Sequence, residues 1–357
     1  MTGDLAVLAG PTALAVIRDG GFGPDSVDVI AGAAGGPKWL VLGGLDRAVF
    51  SSWFTASSHP VFLIGSSIGS WRFAALAQGL ERGAYDSFET AYIHQRYSPS
   101  PDASEVTRVT RGIMDAFLDD TGAHAVFEHP FFRLNLLSAR CRGPFAREDR
   151  YVLAPALLLA ATANALDRRF LRMFFSRTLF SDARDFPSFF GEDGFPLQRV
   201  SLGPANLRTA LLASGSIPLV MEGVRDPLGA KPGMYRDGGL IDYHLDLAYR
   251  NPGLVLFLHY RNRITPGWFD KPLPWRKPDK RHMEKVVLVS PSPDFVRRLP
   301  LRKIPDRDDF VRFRGKDHDR IEYWKRIIDA CRHLGEEFLD MVQSGRIRSA
   351  AQPLEGR

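Results

Sequence analysis

The chain has 357 residues, of which 45% are hydrophobic and 25% are charged, a composition typical of a globular protein with a substantial core. Cys141 and Cys331 are too few and too widely separated for a disulfide framework or a zinc site, which favours a reducing compartment. The net charge of +6 favours contact with anionic surfaces, although basic residues also serve solubility alone.

No segment offers the roughly 18 uninterrupted apolar residues that a membrane span requires. The first 20 residues do not fit a secretory signal, because Asp4 stands in place of a basic region and Gly10-Pro11 divides the apolar run. We therefore predict a cytoplasmic protein, for which any association with a membrane would be peripheral.

Strands and helices are predicted to alternate along the chain. Residues 27–32 and 61–65 are short apolar strands, and the segment between them has helical spacing, so together they indicate a βαβ unit. A helix is expected after Ser67, ending near Gly83. Further helices are predicted at 87–97, 105–118, 155–166, 206–214 and 318–342, and further strands at 234–237, 254–260 and 285–290. This alternation predicts an α/β fold with a mostly parallel central sheet.

The C-terminal third is expected to be less regular. Residues 266–309 are rich in proline and basic residues but include one predicted strand, which indicates a decorated loop region rather than a linker. The last twelve residues, 346–357, are predicted to be frayed.

The sequence VFLIGSSIGSW places Ser67 between an apolar strand and a helix. The pattern G-x-S-x-G, formed here by Gly65, Ser67 and Gly69, is typical of a nucleophilic serine on a sharp strand-to-helix turn. The flanking glycines allow close backbone approach, and the helix N-terminus favours developing negative charge. A tight turn without catalytic chemistry is the alternative.

A second glycine-rich turn, GAAGGPKW, follows the first predicted βαβ strand. Its spacing fits neither the dinucleotide fingerprint nor the P-loop, so a nucleotide site is not expected. The N–H groups of Gly35 and Gly36 are candidate oxyanion-hole donors, whereas Pro37 has no N–H to give. Lys38 adds a positive charge that is suited to a phosphate-bearing headgroup.

The proton acceptor of Ser67 has several candidates. His244, His259 and His282 follow Asp237 in the chain, so their order permits a Ser-His-Asp triad. Asp237 itself ends a predicted strand and is followed by two glycines, at the sheet edge where α/β proteins bind ligands. A carboxylate serves as a base when burial raises its pKa and the hydroxyl lies within hydrogen-bond reach. A simple Asp-Gly-Gly turn is the alternative.

Four motifs in this order resemble the patatin-like phospholipase family of serine acyl hydrolases. They are AGGPKW (34–39), GSSIGS (65–70), ASGSIPLVMEGV (213–224) and RDGGLID (236–242). The resemblance spans roughly residues 27–242. It implies a three-layer α/β/α fold with a mostly parallel central sheet, forming one domain over 1–357 with a motif-bearing core at about 24–262 and a decorated region at about 263–357.

By this resemblance Ser67 is the nucleophile and Asp237 the base of a catalytic dyad, flanked by Gly65, Gly69, Gly238 and Gly239 in their motifs. Gly35 and Gly36 are the implied oxyanion donors, and Lys38 is an implied headgroup contact. The implied activity is cleavage of carboxylic esters of phospholipids or related lipids through an acyl-enzyme, with no metal or organic cofactor. Ala34 and Trp39 depart from the family pattern, which usually has glycine at these positions.

Three alternative functions remain at this stage. The chain is compatible with a Ser-His-Asp esterase, with an acyltransferase, and with a catalytically idle membrane-surface or interaction module of the same fold. A nucleic-acid partner is not expected, because the aromatic residues cluster apart from the densest basic run and no recognised binding motif is present.

Two segments are candidates for contact with lipid. Residues 168–196 are crowded with phenylalanine and arginine, which suggests either a flap over an acyl-chain pocket or ordinary core on a strand and its loop. The basic segment 271–285 is a candidate for contact with an anionic membrane surface, with a solvated face as the alternative.

Overall fold

The computed structural model describes residues 3–187 and 194–354, and its centre is a large mixed, mostly parallel sheet. Helices flank this sheet, which makes the fold α/β as the sequence predicts. The strands are β1 (Leu5–Ala9), β2 (Val27–Gly32), β3 (Val61–Ser66), β4 (Phe132–Cys141), β5 (Phe175–Asp182), β6 (Leu197–Leu202), β7 (Val224–Arg225), β8 (Met234–Asp237), β9 (Leu254–Leu258), β10 (Val286–Pro291) and β11 (Gln352–Pro353).

The eleven strands follow the order β11-β1-β10-β9-β2-β3-β4-β5-β6, while β8 pairs with β4 and β7 pairs with β8. The central strands β2, β3, β9 and β10 are almost entirely buried, because their apolar side chains are covered on both faces. Strands β2 and β3 are parallel and in register from Val29↔Phe62 to Gly32↔Gly65. The carboxyl ends of both strands therefore lie at the same edge of the sheet.

The helices of the described residues lie between and beyond these strands. They are α1 (Pro11–Arg18), α2 (Gly43–Ala48), α3 (Ile68–Leu76), α4 (Ala84–Ile93), α5 (Ala103–Phe117), α6 (Asp120–Glu128), α7 (Arg150–Leu166), α8 (Pro204–Gly215), α9 (Pro293–Arg298), α10 (Asp308–Arg312), α11 (Asp317–Cys331), α12 (Leu334–Gln343) and α13 (Ile347–Ala350). None of the helices in the described ranges is long and apolar enough to cross a membrane.

The predicted strands 27–32 and 234–237 coincide with β2 and β8, and the other predicted strands match within two residues at each end. Four helix predictions are wrong in extent. Helix α4 spans Ala84–Ile93 rather than 87–97, and α7 begins at Arg150 rather than at residue 155. Helix α3 ends at Leu76 rather than near Gly83, because Gly79 adopts a left-handed conformation with φ of +87°. The helix predicted at 318–342 is broken between α11 and α12, which lets Gly335 pack directly on the backbone of Gly44.

The prediction of a frayed C-terminus is also wrong up to Leu354. Ile347 and Ala351 are buried in the core, and β11 pairs with β1 in parallel. The N–H of Leu354 donates to the carbonyl of Ala9 at 2.8 Å. Burial of these apolar side chains offsets the entropy that a free terminus would keep.

The closest approach between sheet and helix near the candidate site is the contact between Gly32 and Gly69. A Cβ atom placed on Gly69 would lie 2.0 Å from the carbonyl oxygen of Gly32. Helix α3 therefore rests directly on the end of β2, and only glycine fits at this point.

We expect Gly69→Ala to lower the free energy of unfolding by about 1–3 kcal/mol, because the added methyl group forces β2 and α3 apart. Gly112→Ala is the matched control: Gly112 lies in α5 with open space around its Cβ position, so the same substitution should raise stability by about 0.5–1 kcal/mol. Urea unfolding followed by circular dichroism measures both. Equal effects of the two substitutions would contradict the close contact.

Candidate active site

Ser67 stands alone between β3 and α3, at the turn that joins them. Its backbone has φ of 55° and ψ of −126°, a strained conformation for a residue with a side chain. A Cβ at Gly65 would lie 2.4 Å from the backbone nitrogen of Ser70, and Gly69 is equally constrained by Gly32. Both flanking glycines are therefore required by the sharpness of the turn, which presents the Ser67 hydroxyl at the sheet edge.

Ser214, near the end of α8, holds this turn in place. Its hydroxyl accepts a hydrogen bond from the Ser67 N–H at 3.0 Å and donates to the carbonyl of Leu137 on β4 at 2.7 Å. The hydroxyl oxygen of Ser70 lies 2.8 Å from the hydroxyl oxygen of Ser214. Sequence reasoning gave Ser214 no role, although it lies in the ASGSIP segment. Its function here is to position the serine turn against the sheet.

The hydroxyl of Ser67 donates a hydrogen bond of 2.6 Å to Oδ2 of Asp237. The other carboxylate oxygen, Oδ1, accepts from the N–H of Gly239 at 2.7 Å, and the Asp237 N–H donates to the carbonyl of Ser216. Asp237 therefore ends β8 in a fixed orientation. Two residues separated by 170 positions in the chain are brought into direct contact.

Burial raises the pKa of Asp237, and this effect exceeds the opposing effects of the hydrogen bond from Ser67 and the charge of Arg307. A carboxylate with a raised pKa is a stronger base toward a hydroxyl proton. The geometry and the electrostatics of this pair are therefore both suited to proton transfer from Ser67 to Asp237.

The histidines considered as bases are engaged elsewhere in the described residues. Nδ1 of His244 accepts from the N–H of Thr265, and its Nε2 lies 2.7 Å from the hydroxyl of Tyr260, which in turn donates to the carbonyl of Ala34. This pattern assigns the proton to Nε2 of a neutral His244, in keeping with burial, which lowers its pKa well below the usual range.

The other two candidates are also paired with groups other than Ser67. Nδ1 of His259 donates to the carbonyl oxygen of Arg261 at 2.6 Å, and burial lowers the pKa of His259 to about 3. Nδ1 of His282 lies 2.8 Å from Asp246. The structure therefore brings Asp237, and none of these histidines, to the hydroxyl of Ser67.

The glycine-rich turn lies beside Ser67 and Asp237 and is fixed by Tyr260. The ring of Tyr260 fills the space that a Cβ at Gly35 would need, and its hydroxyl holds the carbonyl of Ala34. Gly36 has φ of +57°, a conformation that favours glycine. Among the backbone hydrogen bonds of the described residues outside regular elements, the N–H groups of Gly35 and Gly36 have no acceptor, so both remain candidate oxyanion donors.

Trp39, which stands where the patatin-like motif usually has glycine, has a structural role away from Ser67 and Asp237. Its side chain is buried and stacks on Phe88 with ring centroids 4.6 Å apart, with Tyr85 and Tyr92 at its edges. It lines neither of the two cavities that meet at Ser67. The tryptophan therefore anchors the turn to the core behind it.

Two cavities of about 310 Å³ each meet at Ser67, and they share Ser67, Ile217 and Arg307 as wall residues. The first, the polar chamber, contains Asp237 and is lined by Gly35, Lys38, Tyr243, Trp268, Lys271, Asp306 and Asp308 among others. The second, the apolar chamber, is lined mainly by Ile68, Trp71, Tyr92, Tyr97, Val106, Ile113, Val220, Met221 and Phe310. Ser67 thus lies between a charged space and an apolar one.

Three cations line the polar chamber: Lys38, Lys271 and Arg307. Within residues 3–187 and 194–354 none of them forms an ion pair with a carboxylate, and the nearby Asp306 is bound by Lys303 at 2.8 Å. Restricted hydration, together with the charge of Arg261, lowers the pKa of Lys38 to about 8. The chamber therefore holds three cations without an ion-pair partner in the described residues, alongside the acidic Asp306 and Asp308.

Lys271 lies at the mouth of this chamber, with its ammonium 4.1 Å from the centroid of the Tyr243 ring. Surrounding protein atoms and the charges of Lys38 and Arg307 lower its pKa to about 7. Sequence reasoning named Lys38, placed Lys271 only in the basic segment 271–285, and gave Arg307 no role. The only signal for these two was the density of basic residues in the proline-rich region 266–309.

The phenylalanine-rich segment 168–196 contributes to the core rather than to either chamber. Phe175 and Phe180 are buried on β5, whereas Phe170 and Phe186 are exposed. Residues 188–193, which include Phe189 and Phe190, lie outside the described residues. None of the described residues of the segment lines the polar or the apolar chamber, so nothing in them supports a flap over the site.

Comparison of the chain with models of known protein families gives no match, and a search of curated proteins finds no significant similarity. Any functional conclusion therefore depends on the geometry of the site itself.

We expect Asp237→Asn to raise the free energy of unfolding at neutral pH. The pKa of Asp237 is higher in the folded protein than in the unfolded chain, so the wild type loses stability as pH rises from the unfolded to the folded pKa. The asparagine does not ionise and avoids this loss. Thermal unfolding should therefore show a larger gain at pH 8 than below pH 4.

The exposed Asp308→Asn is the matched control for the loss of one negative charge in the same chamber. An Asp237→Asn protein that is less stable than the wild type at pH 8 would show that the buried carboxylate stabilises the fold.

Proposed function

We propose that this protein is a serine acyl hydrolase of the patatin-like type, with a three-layer α/β/α fold, that cleaves carboxylic esters of phospholipids or related lipids. The observation that carries the proposal is the 2.6 Å hydrogen bond from the strained Ser67 to the buried Asp237 at the junction of the two chambers. Strain at a buried polar residue is characteristic of functional sites.

In the proposed reaction Ser67 Oγ attacks the ester carbonyl carbon while its proton moves to Asp237 Oδ2. The N–H groups of Gly35 and Gly36 stabilise the tetrahedral oxyanion. The bond to the alcohol oxygen then breaks, and the alcohol takes the proton from Asp237. Asp237 then takes a proton from a water molecule, which attacks the acyl-enzyme. The fatty acid is released, and Asp237 returns the proton to Ser67.

The two chambers support an amphiphilic substrate for this reaction. The apolar chamber suits the acyl chain, and its volume of about 310 Å³ lies at the small end of the usual range for ligand sites, which favours one chain over two. The polar chamber, with Lys38, Lys271 and Arg307, suits an alcohol group that carries a phosphate. A single-chain ester with an anionic headgroup therefore fits both spaces.

A fluorophosphonate probe is expected to label the wild-type protein at Ser67, with labelling abolished in Ser67→Ala and reduced at least about 1,000-fold in rate in Asp237→Asn, since the base is lost. Ser66→Ala is the matched control, because the neighbouring Ser66 hydroxyl is buried and has no hydrogen-bond partner in the described residues. Folded wild-type protein that shows no Ser67-dependent labelling would overturn the proposal.

We expect Lys271 to select anionic esters. The Lys271→Gln variant should lower the ratio of kcat/KM for decanoyl-glycerophosphoglycerol to that for the uncharged decanoylglycerol by about tenfold, the effect of one charge-assisted hydrogen bond. In the wild type this ratio should fall as pH rises through about 7, where Lys271 loses its charge, and the variant should not show this step.

Lys277→Gln is the matched control, since Lys277 is an exposed lysine of the same segment that lines neither chamber. A ratio that falls equally in both variants would assign the effect to overall charge rather than to the polar chamber.

A further inference from the structure

Helix α7 (Arg150–Leu166) exposes an apolar face to solvent. After Arg150 at the start of the helix, the exposed residues of α7 include no charged side chain and recur at helical spacing: Tyr151, Ala154, Pro155, Leu158, Leu159, Thr162, Ala165 and Leu166. The four large ones are more than half exposed, with Tyr151 and Leu166 at 81%, Leu158 at 68% and Leu159 at 55%. Exposed apolar surface of this extent marks a binding site in a folded protein.

The apolar surface extends beyond the end of the helix. Phe170 and Met173 follow it in the chain and are exposed, and Trp275 is 65% exposed. The guanidinium of Arg276, the residue after Trp275, donates to the carbonyl of Asn164 in α7 at 2.6 Å. This bond ties the loop that carries Trp275 to the C-terminal end of the helix.

Basic residues flank this surface. Residues 142–173, which include α7, contain six arginines and three acidic residues. Residues 268–277, which are tied to α7 through Asp270 and Arg276, contain three basic residues and one acidic residue. Together these two segments have a net charge of +5, whereas the whole chain has +6. An apolar face with basic flanks matches a surface of anionic lipid headgroups over acyl chains.

The same surface is connected to the polar chamber. Asn164 of α7 donates to Asp270 at 2.7 Å, and Asp270 belongs to the turn Trp268–Asp270, whose first residue lines the chamber. Lys271, at the mouth of the chamber, follows directly. The apolar face of α7 and the entrance of the candidate site are thus parts of one connected region.

We propose that the exposed face of α7, with Phe170, Met173 and Trp275, binds the surface of an anionic phospholipid membrane. The apolar side chains insert among the headgroups and upper acyl chains while the flanking arginines and lysines pair with lipid phosphates. Binding requires no catalysis, so this inference is independent of the proposed hydrolase activity.

Sedimentation of the full chain with phospholipid vesicles tests the proposal. The wild type should bind vesicles of phosphatidylglycerol and phosphatidylcholine, with an affinity that falls as salt is raised, and should bind pure phosphatidylcholine at least about tenfold more weakly. Leu158→Glu should weaken binding to the anionic vesicles by about tenfold, and Leu158→Glu/Leu159→Glu by more.

Leu228→Glu is the matched control, since Leu228 is 61% exposed in the turn between β7 and β8 and receives the same charge. Circular dichroism checks that all variants are folded. Equal loss in the Leu158 and Leu228 variants, or no vesicle binding by the wild type, would overturn the proposal. In a further outcome, the wild type does not bind vesicles but is a dimer in analytical ultracentrifugation, and Leu158→Glu/Leu159→Glu is a monomer. That result would overturn the proposal and assign the face to binding a second copy of the chain.

Discussion

Strand β4 holds both halves of the candidate dyad through its hydrogen bonds along one edge. Its first part pairs in parallel with β3 up to Ser66↔Leu137, and its second part pairs in antiparallel fashion with β8 from Ser138↔Asp237 onward. The carboxyl ends of β3 and β8 therefore meet head to head at neighbouring positions of β4. The 2.6 Å contact between Ser67 and Asp237 follows from this register, since a slip of one residue on either side would turn a side chain to the other face.

Burial around this junction determines its chemistry. Asp237 has no direct cationic partner in the described residues, so desolvation dominates and its pKa rises. The cations line the polar chamber, and in the described residues none of them forms an ion pair with Asp237. His244, which is neutral and buried, acts through Tyr260 on the carbonyl of Ala34 and thereby supports the glycine-rich turn.

The local sequence patterns were sufficient to predict most of the central strands and the position of Ser67 between a strand and a helix. Apolar runs such as 27–32 predict buried strands because few other elements tolerate them. Strand β4 was not predicted, since Arg133, Asn135, Ser138 and Arg140 interrupt its apolar pattern. Its pairing with three other strands depends on contacts distant in sequence, and no local pattern encodes them.

The same distinction applies to the site. Ser67, Asp237 and the two glycines of the turn lie in short motifs, whereas Lys271 and Arg307 reach the chamber from an irregular region in which a basic residue is more often solvated. The exposed face of α7 was missed for a related reason. A helix rich in alanine and leucine is predicted to lie in the core. The structure shows instead that one side of α7 is exposed among the described residues.

The backbone conformation of Ser67 has a consequence for how this fold is maintained. Glycine adopts a φ of 55° at a lower energetic cost than serine does, and the turn is held by Ser214 through the backbone N–H rather than through the Ser67 side chain. The hydroxyl at this position thus adds nothing that folding requires, and it keeps an ionisable carboxylate buried beside it. Selection for stability alone would favour glycine at position 67 and a neutral side chain at position 237, so the retention of both groups supports the proposed use of the site.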